Sequence, residues 1–98
     1  MEAKKAIRLI QRCIRDERYA TTAHFDQRMD ERCLFLTDAL AVIDDPHSVR
    51  DDGLDNEGRP KWLLAGVTTD LLRLEIVVVI DQDENGNEVL LFTIYYEG

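Results

Sequence analysis

The most specific chemical pattern in the sequence is a histidine followed by two arginines at intervals of four residues: His24, Arg28 and Arg32. Residues four apart lie on nearly the same face of an α-helix, and with a rise of about 1.5 Å per residue they follow one another at roughly 6 Å. Histidine exchanges protons near neutral pH, and arginine binds phosphates and carboxylates. The pattern therefore predicts either an anion site or a row of ion pairs with acids elsewhere in the chain.

The elements that carry this row are predicted to be helical. Apolar residues recur at helical spacing in residues 2–18, which predicts a first amphipathic helix with a basic polar edge. A second helix is predicted to begin at Thr22, a favourable N-cap. Its buried stripe comprises Phe25, Met29 and Cys33. The chemical row lies one residue before that stripe, about 100° around the helix, so it is expected to flank the core.

The rest of the chain predicts one more helix and then strands. Thr37 is expected to cap a third helix that runs to about Asp44. The predicted strands are a short edge strand at 48–51, strands at 61–67 and 72–81, and a last strand at 88–96. The valines at 77–79 predict a central strand covered on both faces, and the dipeptide Asn85-Gly86 predicts a tight hairpin turn. The sequence therefore predicts one α+β domain over residues 1–98, with N-terminal helices packed on a three- to four-stranded, mainly antiparallel sheet.

Charge and composition limit the function classes. The net charge is −8, which argues against nucleic-acid binding through an extended basic surface. Residues 1–32 carry 8 Lys and Arg against 6 Asp and Glu, whereas residues 33–98 carry 4 against 14. No apolar run is long enough to span a bilayer or to form a signal peptide, so a cytoplasmic protein without a membrane partner is expected. Cys13 and Cys33 are predicted to be reduced, core-facing residues in helices.

Two metal patterns are incomplete. The sequence Asp81-x-Asp83-x-Asn85-Gly86 matches the first half of a calcium loop, but Phe92 stands where the closing glutamate belongs. The two cysteines and two histidines lack the short spacing of a zinc site. We therefore expect no metal and no other cofactor.

An ordered set of motifs resembles a bacterial family, the domain of unknown function 4258. The residues that carry the resemblance are the helical row His24, Arg28 and Arg32, then Arg59 and Lys61, then Thr93 and Tyr95. It covers about residues 20–96. The family is similar in its helix-then-sheet layout to the RelE-like and MqsR-like toxins of toxin–antitoxin systems, which are metal-independent endoribonucleases. The resemblance thus implies a RelE-like fold and RNA as a substrate.

The resemblance implies a catalytic set of His24, Arg28, Arg32, Lys61 and Tyr95. In such a site His24 would act as acid or base, the cations would hold the phosphate, and Tyr95 would donate a proton or stack on a base. Trp62 is a further candidate for stacking, although a core position is the more frequent role for tryptophan. Strand alternation is expected to put Tyr95 on the sheet face opposite Phe92.

The competing hypothesis is a non-catalytic interaction module. In it Arg28 pairs with Glu31, Arg32 reaches an acid on the sheet, and the row locks the helix onto the sheet. The acidic chain then binds a basic antitoxin-type partner or a second copy of itself through a sheet edge. The residues alone favour this structural interpretation, whereas the resemblance makes RNA cleavage the more concrete hypothesis.

Overall fold

The computed structural model describes the backbone of residues 1–97, and the side chains of that range other than those of Ile94, Tyr95 and Glu97. In chain order the described elements are α1 (Ala3–Arg15), β1 (Tyr19–Thr21), α2 (Ala23–Glu31), α3 (Leu36–Asp44), β2 (Ser48–Leu54), β3 (Pro60–Val67), β4 (Arg73–Gln82) and β5 (Glu88–Glu97). The five strands form one sheet in the order β1-β5-β4-β3-β2. The predicted α+β class is confirmed.

The predicted strand count is wrong, because a fifth strand precedes α2. Strand β1 has only three residues and pairs parallel with β5, Tyr19 opposite Leu90 and Thr21 opposite Phe92. The other neighbouring strands are antiparallel, so the sheet is mixed. A strand this short has no periodicity to recognise, and its conformation depends on a partner about 70 residues away in the sequence.

All three described helices bury their apolar residues against one face of the sheet. The buried residues of this cluster are Ala6, Ile10, Cys13, Phe25, Met29, Ala39, Val42, Ile43, Trp62, Leu64, Leu74, Ile76, Val78, Ile80, Leu90 and Phe92. In β3, β4 and β5 they alternate along the strand, as expected when one face meets the helices. This helix-packed face is the reference for locating every candidate residue below.

Strand β4 lies in the centre of the sheet, as its valines predicted. Val78 belongs to the helix-packed cluster, whereas Val77 and Val79 are buried outside it. Their register neighbours on the opposite face include Leu63 beside Val77 and Leu91 beside Val79. Flanking side chains of the sheet itself therefore shield that second face of β4.

Boundaries of all three described helices differ from the sequence expectation; α1 ends at Arg15 and not at residue 18. The α3 helix begins at Leu36 after the N-cap residue Phe35, whose backbone N–H donates to the Asp38 carboxylate at 2.8 Å. Thr37 is therefore inside the helix, and the prediction that it caps α3 is wrong. Similarly, α2 ends at Glu31, and Cys33 is exposed with φ 56°, so its predicted core position is also wrong. The predicted buried position of Cys13 is confirmed.

The longest of the described helices has 13 residues, and none of them is long and apolar enough to cross a membrane.

Candidate functional site

Thr22, the N-cap residue of α2, links the start of that helix to β5. The Thr22 hydroxyl accepts from the Phe25 backbone N–H at 3.1 Å, which confirms the predicted N-cap, and it donates to the Thr93 carbonyl at 3.3 Å. Thr93 is the extra residue of a bulge where the register between β4 and β5 shifts, and its own hydroxyl donates to the Val77 carbonyl at 3.3 Å. The cap and the bulge together set where α2 crosses the last strand.

The predicted row runs along one flank of α2. His24 is in the first turn and exposed, and Arg28 is in the last turn and half-buried. Arg32 is the C-cap residue, exposed and just outside the regular helix. Phe25 and Met29 are buried beside them, so the row flanks the core as the 100° offset predicted. Since α2 packs on β5, the row borders that strand.

Tyr95 is in the part of β5 that follows the bulge. Its backbone lies opposite Ile76 in the β4–β5 register, while Phe92 lies opposite Val78. The bulge at Thr93 shifts the β4–β5 register before Tyr95 is reached. The side chain of Tyr95 itself lies outside the described residues, so its catalytic role stays a prediction.

Lys61 is not brought to the α2 row. Its neighbour Trp62 is buried in the helix-packed cluster, and Lys61 lies opposite Val79, which is outside that cluster. Successive residues of a strand point to opposite faces, so Lys61 is on the face of the sheet away from α2. Its ammonium group is 3.7 Å from the Asp52 carboxylate. The sheet therefore separates Lys61 from His24 and the two arginines. Trp62 is 3 % exposed, so its predicted core position is confirmed.

Arg59, the other basic residue of the middle motif, has three carboxylate partners. Its guanidinium lies 2.7 Å from Asp55, 2.8 Å from Asp81 and 2.9 Å from Glu57. The Asp55 carboxylate also accepts from the backbone N–H groups of Glu57 and Arg59. The arginine thus ties the β2–β3 loop to the end of β4. We refer to Arg59, Asp55, Glu57 and Asp81 as the Arg59 cluster.

The cluster shifts the protonation of its members. The backbone N–H and guanidinium of Arg59 lower the pKa of Asp55. The backbone N–H of Gln82 and the Arg59 guanidinium lower the pKa of Asp81. Hydrogen bonds to these carboxylates raise the pKa of Arg59. The cluster is therefore a hydrogen-bonded structural unit in which the cation is already occupied.

Sequence reasoning missed the Arg59 cluster for an identifiable reason. The spacing of Asp55 and Arg59, four residues apart in a loop rich in turn residues, was a weak signal. Asp81, however, is 22 residues further along and meets Arg59 only through the pairing of β3 with β4.

Two carboxylates of the acidic hairpin at 81–87 accept hydrogen bonds from other groups of the chain. Asp83 accepts from the backbone N–H groups of Asn85 and Asn87, and Gly86 adopts a positive φ of 81°. Asp81 accepts from Arg59 and from the Gln82 backbone N–H. The predicted hairpin turn is confirmed. Within residues 1–97, the described His, Cys, Asp and Glu side chains include no group of three or more that could hold a metal ion.

A family model decides the family to which the chain belongs. The model named Domain of unknown function (DUF4258) matches residues 21–96, which extend from the end of β1 to the end of β5. This chain is a DUF4258 protein. No curated protein and no solved structure matches it.

The match divides the DUF4258 chain at a structural boundary. It leaves out α1 and most of β1, and it includes α2, with its row, and the whole β2–β5 meander. The Thr22–Thr93 link and the Arg59 cluster both lie inside the matched region. The family assignment therefore covers every residue of the predicted catalytic set, without saying what those residues do.

Proposed function

We propose that this DUF4258 protein is a toxin-like endoribonuclease that cleaves RNA without a metal ion. The row on α2 is proposed to form part of its active site. The observation that carries the proposal is that one helix flank presents an exposed histidine one turn from a half-buried arginine, beside the last strand. The proposal is supported by the resemblance to RelE-like and MqsR-like toxins in the layout of helices followed by a sheet, although a layout does not fix an activity.

The reaction needs two proton transfers and a cation. The ribose 2′-oxygen attacks the adjacent phosphorus and gives up its proton to a base, while the P–O5′ bond breaks and the 5′-oxygen takes a proton from an acid. The products are a 2′,3′-cyclic phosphate and a 5′-hydroxyl. His24 is suited to one transfer, Tyr95 to the other, and Arg28 and Arg32 to the negative charge that develops on the phosphate.

The site that we propose is smaller than the sequence alone suggested. Lys61 lies across the sheet beside Asp52, so we assign it no part in the reaction. With two arginines and one histidine contacting RNA, about two to three phosphate charges are neutralised, and the logarithm of the affinity should fall with the logarithm of salt at a slope of about −2. Such a shallow slope is compatible with a chain whose net charge is −8.

The test is induced expression of the wild type beside His24→Ala and Arg28→Ala, following growth and the integrity of total RNA. The matched controls are His47→Ala and Arg8→Ala, which remove an exposed histidine and an exposed arginine far from the row. We expect growth arrest and RNA cleavage with the wild type and both controls, and neither with the two row variants at equal levels of folded protein. Unimpaired growth and intact RNA with the wild type would contradict the proposal.

A second candidate is a non-catalytic interaction module. The observation that favours it is the strongly acidic composition, with 20 Asp and Glu against 12 Lys and Arg. The partner in that case is a basic antitoxin-type protein or a second copy of the chain. In this account Arg28→Ala lowers the melting temperature, and RNA is not bound at moderate salt.

A further inference from the structure

A groove lies on the flank of α2 opposite the His24 row, between that helix and the start of α3. Its volume is about 230 Å³. The residues that line it are Thr21, Phe25, Asp26, Met29, Asp30, Leu34, Phe35 and Leu36. The floor is apolar, because Phe25 and Met29 belong to the core cluster.

Two large apolar side chains at the edge of this groove are exposed. Phe35 is 73 % exposed and Leu36 is 38 % exposed, and they are consecutive residues at the start of α3. Single exposed apolar residues are common on protein surfaces, but adjacent ones beside an apolar groove are typical of a binding surface. An apolar side chain of a partner could therefore contact Phe25 and Met29 at the bottom of the groove and Phe35 and Leu36 at its edge.

The rim of the groove is acidic. Asp26 and Asp30 lie one turn apart on α2 and are both exposed. Among the described residues, no ion pair involves either carboxylate. In a chain of net charge −8, two such acids beside an apolar surface favour a partner segment that carries lysine or arginine.

The groove adjoins an open edge of the sheet. The Leu90 N–H donates to the Arg18 carbonyl and the Thr22 N–H donates to the Phe92 carbonyl, so alternate residues at 18, 20 and 22 face β5. Tyr19 and Thr21 consequently direct their backbone N–H and C=O groups to the outer side of β1, which is the edge strand. Thr21 also lines the groove, so the two features meet.

We propose that this edge and groove bind an extended, basic segment of a partner protein. The segment pairs with the outer edge of β1, inserts one large apolar side chain beside Phe35 and Leu36, and places lysine or arginine near Asp26 and Asp30. This surface is on the flank of α2 away from the His24 row, and the inference does not depend on RNA cleavage.

The experiment uses a fluorescein-labelled peptide of sequence Lys-Thr-Lys-Thr-Leu-Thr-Lys-Thr, in which the leucine and the lysines share one face of a strand. Binding is measured by fluorescence anisotropy at low salt, with backbone amide NMR shifts of the full chain to locate it. Two further peptides carry glutamate for every lysine, or alanine for the leucine. The protein variants are Asp26→Lys/Asp30→Lys and a control with the same charge change elsewhere, Asp70→Lys/Glu84→Lys.

We expect the first peptide to bind the wild type and to shift the amides of Tyr19, Thr21 and Leu34. Charge reversal at Asp26 and Asp30 should weaken binding by about tenfold, and the control should weaken it by less than about threefold. Both altered peptides should bind more weakly to the unmodified chain, which keeps the test independent of variant folding. Absence of binding, equal weakening by the two double variants, or equal binding of the alanine peptide would overturn the proposal.

Discussion

The Arg59 cluster and the row on α2 both place basic residues in the region that the DUF4258 family model matches, yet the surroundings of those residues differ. The Arg59 side chain is 26 % exposed, and its guanidinium faces three carboxylates. On α2, His24 and Arg32 are exposed at the two ends of the helix, and Arg28 is half-buried between them. Arg59 holds a loop to the sheet, whereas the row places an exposed histidine and an exposed arginine at the two ends of one helix.

This difference distinguishes two roles of a basic residue: stabilising the fold through ion pairs, and contacting a ligand. A guanidinium whose three nitrogens each face a carboxylate has little capacity left for a phosphate, because the phosphate would have to displace these partners. His24, exposed at the start of α2, is open to a ligand from solvent. We therefore expect substitutions in the Arg59 cluster to change stability, and substitutions in the row to change activity.

The largest expected effect distinguishes Arg28 from Arg59 directly. Arg28→Ala should lower the RNA cleavage rate by about 100-fold, since it removes a cation from the developing phosphate charge. Arg59→Ala should change that rate by less than about threefold in the folded protein, while lowering the melting temperature. Cleavage of a labelled RNA and thermal unfolding of both purified variants would check this. Equal loss of cleavage in the two variants would remove the distinction.

A smaller effect is expected from the hydroxyl that joins α2 to the bulge. Thr22→Ala should lower the free energy of unfolding by about 1 kcal/mol, because the N-cap and the bond to Thr93 are both lost. Thr22→Ser retains the hydroxyl and should recover most of the stability and the cleavage rate. Chemical denaturation of both variants measures the first quantity. A serine variant no better than alanine would show that the hydroxyl does not position α2.

The Arg59 cluster also predicts a dependence of stability on pH. The pKa values of Asp55 and Asp81 are lowered in the folded chain, so the unfolded chain binds protons more readily than the folded one. Their stabilising contribution is complete above the ordinary carboxyl pKa of about 4 and is lost as the pH falls through the lowered values. The melting temperatures of the wild type and Asp55→Asn should therefore converge below about pH 4. A constant difference between them down to pH 2 would contradict this.

The smallest effect is expected at Lys61. Because it lies across the sheet from the row and pairs with Asp52 at the surface, Lys61→Ala should change RNA cleavage by less than about twofold and stability by at most about 0.5 kcal/mol. The same cleavage and unfolding measurements apply. A loss comparable to that of Arg28→Ala would mean that Lys61 reaches the substrate after all.

Local patterns were sufficient to predict most of the fold. The spacing of Ala6, Ile10 and Cys13 gave α1, and the apolar stripe at Phe25 and Met29 gave α2, since helical periodicity is a local property of the sequence. Strands β3, β4 and β5 were recognisable from their β-branched and aliphatic residues. These elements are long enough for several repeats of their pattern.

Features that depend on distant partners were not predictable in the same way. Strand β1 exists because three residues pair with β5, and the bulge at Thr93 shows only in the register between β4 and β5. The separation of Lys61 from His24 depends on which face of the sheet the helices cover. The sequence thus identified the residues of the candidate site but could not decide which of them meet.

The most direct test of the central claim is cleavage of a defined RNA oligonucleotide by the purified chain in the presence of EDTA. The substrates are the RNA and a copy with 2′-deoxyribose throughout, and the proteins are the wild type, His24→Ala and His47→Ala. We predict cleavage of the RNA alone, with a 2′,3′-cyclic phosphate product, by the wild type and His47→Ala, and a rate at least about 100-fold lower for His24→Ala. No cleavage by the folded wild type, or undiminished cleavage by His24→Ala, would contradict the account.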